Sequence, residues 1–313
     1  MKRKSTPVQS TDKTVAMDGP ARRGLTGPIL VGGEDEPWIS GALNLALLLT
    51  RTTGLNAHVL GVVRPLGLPM STLLPSDYEA LEEGRRLQHL ERVRRRVHQT
   101  VGNAAAFSTG AVTGSPAVML AREARQRGSE LILLGLEDKN APGRTALEDE
   151  ALQVTRAADV PVLAVPAAAH SLPPRARGAR DFSASSLRAA RAALVVLDAG
   201  ATVVLAHVQP AADLESGREG WRDVYARGAA ALFEQPKAAL SAAGDVTVET
   251  ELLRGDDPGP ALLEFARKGK FDLVASGMQG AWGADRHLTG SVSTALLRGA
   301  ACTTLIAPSQ ASG

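Results

Sequence analysis

Short, unbroken apolar runs alternate along the chain with longer stretches whose apolar positions recur every three to four residues. The runs at residues 29–31, 59–63, 131–134 and 160–165 lack the polar alternation of a half-exposed strand, so they read as strands buried on both faces. The stretches between them, residues 39–52, about 77–101, 116–126 and 146–157, carry the single apolar stripe of a helix packed on one side. Strand and helix in alternation predict a parallel, doubly wound α/β sheet with helices on both faces, five strands being the natural count for each unit. In such sheets ligands sit beyond the carboxyl ends of the strands, where the strand order reverses.

The pattern occurs twice. Leu55-Asn-Ala-His-Val-Leu-Gly-Val-Val-Arg-Pro65 matches Gly200-Ala-Thr-Val-Val-Leu-Ala-His-Val-Gln-Pro210 at an offset of 145. Ser129–Gly135 matches Phe271–Gly277, and Ala157–Pro166 matches Gly299–Pro308, both at an offset of 142. A nearly constant offset over that distance is the mark of a duplicated domain. The predicted organisation is a basic tail (1–25), a first domain (26–168), a linker around Pro173-Pro174 (169–178) and a second domain (179–310), which suits a length of 313 residues.

Composition narrows the classes further. Aromatic residues are only 3% of the chain and Trp38, Trp221 and Trp282 stand alone, so neither an aromatic β-sandwich core nor a base-stacking surface is expected. The formal charge of +2 hides an asymmetry: Lys2, Arg3, Lys4, Lys13, Arg22 and Arg23 face only Asp12 and Asp18 in the tail, and the rest is slightly acidic. A nucleic-acid partner is therefore not expected. The tail has no apolar core of a signal peptide and reads as a disordered leader, with a basic docking arm as the other reading. Apolar runs fall far short of the roughly 20 residues of a membrane span. One cysteine excludes an internal disulfide and a Cys-based zinc site, which points to a reducing, cytoplasmic setting.

The segment richest in chemistry follows the fourth strand of the second half: Gly277-Met-Gln-Gly280, nine residues, then Gly290-Ser291-Val292-Ser293 opening a helix. Glycines at a strand exit let backbone approach a ligand closely, and a helix start offers N–H donors and a favourable dipole to an anion. On chemistry alone the segment is equally a glycine turn before a capped helix. Its spacing, however, resembles the ATP-binding signature G-2x-G-9x-G-[ST] of universal stress proteins. Leu253-Arg-Gly255-Asp-Asp-Pro258, Asp272-Leu-Val274, Leu297–Ile306 and the turn Asp181-Phe-Ser183-x2-Ser186 resemble the same family. The likeness covers residues 26–310 as two copies, strong in the second and weak in the first.

What the resemblance implies is a tandem pair of adenine nucleotide alpha hydrolase-like domains, packed as an internal pseudo-dimer through their last strands (160–165 and 303–307), with ATP, with or without Mg²⁺, as ligand. Asp181 would contact adenine and Val208 pack on the base. Gly277, Gln279 and Gly280 would line the ribose and phosphates, and Gly290, Ser291, Val292 and Ser293 would hold the phosphates. Arg286 and His287 lie in the loop, either solvated or reaching the γ-phosphate. The implied role is a stress-response switch in which nucleotide orders residues 277–293, with little or no hydrolysis, in a monomeric pseudo-dimer or a dimer of such chains.

Both halves depart from the family pattern. In the first, Gly280 maps to Asp138 and Gly290-Ser291 to Glu148-Asp149, and Gly32-Gly33 stand where the adenine-contacting Asp belongs. Carboxylates repel a triphosphate, so this half is expected to be a structural copy without nucleotide. In the second, the first strand is Arg175-Ala-Arg-Gly-Ala-Arg180 instead of an apolar run, which predicts a short or displaced strand whose arginines reach solvent or phosphate.

Two other function classes stay open at this point: a scaffold that binds no nucleotide, and an enzyme such as a nucleotide hydrolase or adenylyl transferase. Against the enzyme, Ser183 and Ser291 have no His–Asp partners in view, His207 reads as a packed strand residue, and Cys302 as a small buried hydrophobe. Arg92, Arg94, Arg95 and Arg96, following Glu79, Glu82, Glu83 and Glu91, read as a salt-bridged helix face.

Overall fold

The structure, a computed structural model, describes residues 25–33, 36–67, 75–136, 144–179, 184–209, 221–278 and 290–308. The first half runs β1 (Ile29–Gly33), α1 (Ile39–Thr53), β2 (Ala57–Val63), α2 (Pro75–Val101), β3 (Phe107–Thr113), α3 (Pro116–Arg127), β4 (Leu131–Leu136), α4 (Arg144–Ala157) and β5 (Val162–Pro166). The second runs β6 (Arg175–Ala179), α5 (Ala184–Val196), β7 (Ala201–Gln209), α6 (Trp221–Ala243), β8 (Val246–Arg254), α7 (Pro258–Lys268), β9 (Leu273–Gly277), α8 (Ser291–Gly299) and β10 (Thr303–Ala307).

The ten strands form one sheet in the order β3-β2-β1-β4-β5-β10-β9-β6-β7-β8. Within each half every pairing is parallel, as crossovers through helices allow. The halves meet through β5 and β10, which pair antiparallel with Leu163 opposite Leu305. Those two leucines are also equivalent in the repeat, so a pseudo-two-fold axis passes between them. Both are fully buried, as are Ile29, Leu30 and Val31 of β1, which is why β1 and β5 are apolar runs.

Apolar clusters cross the junction. One joins α1 and the sheet of the first half to Ala189, Ala193, Leu273 and Leu305 of the second. Another gathers Leu120, Leu136, Leu152 and Val154 of the first half around Met278, Leu297 and Ile306 of the second. Neither half closes its core alone. The salt-bridged face expected on α2 is present in part: of the arginines named for it Arg94 pairs with Glu91 at 2.7 Å, and Arg86 pairs with Glu83 at 2.6 Å, both one turn apart. No helix among the described residues is long and apolar enough to cross a membrane.

The arginine-rich first strand of the second half overturns the expectation of a displaced strand. β6 lies in the middle of the sheet between β7 and β9, and it begins at Arg175, within the stretch expected as linker. Strand alternation sends Ala176 and Gly178 to one face and Arg175 and Arg177 to the other. Arg175 is exposed, donates to the Gly269 carbonyl at 3.0 Å, and lies 5.0 Å from the Phe271 ring centroid. Arg177 is fully buried. Its Nη1 donates to the Leu262 carbonyl and its guanidinium stacks 5.0 Å from the centroid of Phe265, while Nε and Nη2 have no partner. Burial pulls this guanidinium down to about 9. The aromatic faces of α7 and its C-terminal turn are what accommodate two cations on a strand that elsewhere would be aliphatic.

Candidate functional site

At the exit of β9 the chain leaves the sheet and returns to the same point. The Met278 N–H donates to the Ala307 carbonyl of β10 at 2.8 Å, and the Met278 carbonyl accepts from the Gly290 N–H at 2.8 Å. The loop between, including Gln279, Gly280, Arg286 and His287, lies outside the described residues, as does Asp181. Gly290 sits where a Cβ would come within 3.0 Å of that Met278 carbonyl, so the return is tight enough to favour glycine.

α8 starts at Ser291 with Gly290 as its N-cap residue and no side-chain cap. The first intrahelical bond runs from Thr294 N–H to the Gly290 carbonyl at 3.0 Å, so the N–H groups of Ser291, Val292 and Ser293 precede the helical ladder. Ser291 is exposed, Val292 half-buried and Ser293 buried. Ser293 differs in its chemistry from the role the resemblance implies for a hydroxyl: its Oγ donates to the Gly277 carbonyl at 2.7 Å and lies 3.3 Å from Ser276 Oγ. That hydroxyl ties helix to strand, leaving the backbone N–H as the group Ser293 can offer an anion. Val208 lies near the carboxyl end of β7 and packs in the apolar cluster between sheet and α7 with Leu253 and Ala261. The structure thus brings Gly277 and Gly290–Ser293 together at one strand exit, with Val208 two strands away across β6.

The equivalent place in the first half is lined differently. A Cβ on Gly135 would lie 2.5 Å from the Trp38 carbonyl oxygen, just as one on Gly277 would lie 2.6 Å from Ser185, so both glycines let the first helix of their half sit on the fourth strand. Around Gly135, with Gly32, Gly33, Trp38, Leu60 and Ala151, the remaining cavity is about 30 Å³. Among the described residues, that is room for a water. The acids that replace the glycine and serine have structural partners. Glu148 is buried, and the Asp149 carboxylate accepts from Arg298 Nη2, on α8 of the other half, at 2.6 Å. The neighbouring Glu150 pairs with Arg64 at 2.7 Å. Nothing local in the sequence announces the Asp149–Arg298 contact; only the repeat symmetry could have found it.

Other reactive side chains are set aside by their surroundings. Burial pushes the Cys302 thiol up to about 11, so it is a poor nucleophile at neutral pH. His58, which sequence reasoning passed over, is buried on β2 with Nδ1 2.8 Å from Ser108 Oγ and Nε2 3.6 Å from Glu123. Burial, and then Arg127, hold it below the usual imidazole range against the opposing pull of Glu123. Among the described residues no group of three or more His, Cys, Asp or Glu side chains could hold a metal ion.

Comparison with known proteins follows the same two-part division. The universal stress protein family matches residues 28–166 and again 179–308. A universal stress protein of Methanocaldococcus jannaschii is 39% identical over 61 residues, or 20% of this chain and 35% of that protein. The chain thus spans about a third of the length of that curated relative. Among solved structures, a universal stress protein from Archaeoglobus fulgidus superposes with a TM-score of 0.63 at 16% identity, covering 91% of this chain and 99% of that one. A functionally unknown protein from Pseudomonas aeruginosa gives 0.57 at 15% identity, covering 90% and 93%. At such identities the structures speak for the fold alone, whereas the family match takes in both halves: the chain belongs to the universal stress protein family, with two tandem domains.

Proposed function

We propose that the second half binds ATP or a related adenine nucleotide at the exit of β9, and that the first half is its permanent, nucleotide-free partner. The observation that carries this reading is the closure of the G-2x-G-9x-G-S segment: Gly290 returns to Met278 at 2.8 Å and sets three free N–H groups of α8 at a carboxyl strand end. A helix start at a strand exit, approached through glycine, suits phosphate oxygens. Mg²⁺, if carried, would arrive on the phosphates, for the described residues there offer hydroxyls and amides rather than a carboxylate set.

The same chemistry makes the site a switch rather than a catalyst. Hydroxyls and backbone amides bind anions but supply no general base for attacking water, so hydrolysis is slow or absent. Nucleotide would order the segment from Gly277 to Ser293 and alter the surface that partners meet. Placing the first half's acids in the second tests the reading. With Gly290→Glu and Ser291→Asp together, saturating ATP should no longer raise the melting temperature as it does in the unaltered chain. An undiminished rise in that variant means that nucleotide, if bound, sits elsewhere.

A further inference from the structure

We infer that Arg156, a residue of the first half, reaches across the junction to the phosphates bound at the start of α8, an inference that rests on the nucleotide reading above. Symmetry carries the argument. Val162, Leu163 and Ala164 pair with Ile306, Leu305 and Thr304. The repeat offset of 142 carries Val162, Leu163 and Ala164 onto Thr304, Leu305 and Ile306. Exchanging the halves therefore maps the junction onto itself. By the same offset Leu136 corresponds to Met278, Asp149 to Ser291 and Arg156 to Arg298. Leu136 and Met278 are buried in one cluster, and α4 packs on α8, so the correspondence extends beyond the strands to the helices.

One of the two symmetric contacts is visible. Arg298, from the second half, donates to the Asp149 carboxylate of the first at 2.6 Å. The two-fold operation on that contact sets Arg156, exposed on α4, opposite Ser291. The visible contact also shows what this place in the fold accepts: an anion, met by a guanidinium from the other half. In the first half the anion is built in as Asp149. In the second the side chain is a serine and the helix begins there, so N–H donors and a hydroxyl face the position. Amide donors and a guanidinium fork together are a phosphate-binding set. Asp149 thus stands in the first half for the phosphate that the second takes from solution, and each half supplies the arginine for the other's anion.

Calorimetric titration of the full chain with ATP and, separately, with adenosine tests this. Arg156→Glu should weaken ATP about tenfold or more, as loss of a charged hydrogen bond implies, and leave adenosine binding unchanged. Arg156→Lys should recover much of the lost affinity. Melting temperatures recorded alongside establish that both variants fold, as an exposed site allows. If Arg156→Glu binds ATP as tightly as the unaltered chain, or weakens ATP and adenosine alike, the contact is wrong while the nucleotide reading stands. Failure of the unaltered chain to bind ATP overturns that reading, and this contact with it.

Discussion

Gly135 and Gly277 lie at or next to the carboxyl ends of equivalent strands, and a Cβ on either would strike the start of the first helix in its own half, at Trp38–Ile39 or at Ser185. Beyond them the halves part. After Gly277 the chain returns at Gly290 and opens a helix on a serine, with uncapped N–H groups. At the matching positions of the first half stand a buried glutamate and an aspartate held by Arg298, beside a cavity of about 30 Å³. The lesson is that one glycine of the motif, present in both halves, belongs to the fold, whereas the later glycine and serine are present in the second half alone. In the first half those later positions build the junction between halves, through Asp149 and Arg298.

The first way to break this comparison is to test the shared glycine. Gly135→Ala and Gly277→Ala should each destabilise by about 1–3 kcal/mol in denaturant melts, because the methyl meets backbone that cannot swing aside. A cost confined to Gly277→Ala would mean that the two exits are not built alike.

A second test concerns the buried arginine. Leu30 pairs with Ile132 and Arg177 with Val274, and Ile132 and Val274 are equivalent in the repeat. Arg177 therefore occupies the place of Leu30, and Arg177→Leu restores the first half's residue. Two unpartnered nitrogens and an uncompensated charge should make that change neutral or stabilising by about 1–3 kcal/mol, readable as a higher denaturation midpoint. A marked loss of stability would show that the stacking on Phe265 and the bond to Leu262 outweigh the desolvation of the cation.

The smallest expected effect is a pH slope confined to the first half. His58 is held below the ordinary imidazole value of 6.5, chiefly by burial, with Ser108, Glu123 and Arg127 as its neighbours. Between the unfolded and the lower folded value the unfolded chain binds more protons, so stability falls as pH drops from 6.5 through the folded value. His58→Gln should flatten that part of the stability–pH curve; an unchanged slope would assign it to other groups.

Much of this architecture is legible in the sequence because central parallel strands must be apolar. β1, β2, β4 and β5 stand out as runs, and the duplicate copies confirm one another. β3, Phe-Ser-Thr-Gly-Ala-Val-Thr, carries no such signal because it is an edge strand with most of its residues part-exposed. β6 is illegible for the opposite reason: its Arg-Ala-Arg-Gly-Ala is drawn into the sheet by β7 and β9 on either side, against its own composition. At the site, glycine spacing marks the ends of the loop. It does not reveal that Ser293 spends its hydroxyl on the Gly277 carbonyl, nor that Asp149 meets a residue 149 positions away. Both are products of tertiary packing, which spacing alone does not encode.

Two copies of one domain, on this reading, divide the work unequally. The most direct measurement is the stoichiometry of ATP binding to the full chain by titration calorimetry. The prediction is one site per chain, lost together with the G290E and S291D substitutions. Two sites per chain, or one that survives those substitutions, would contradict it.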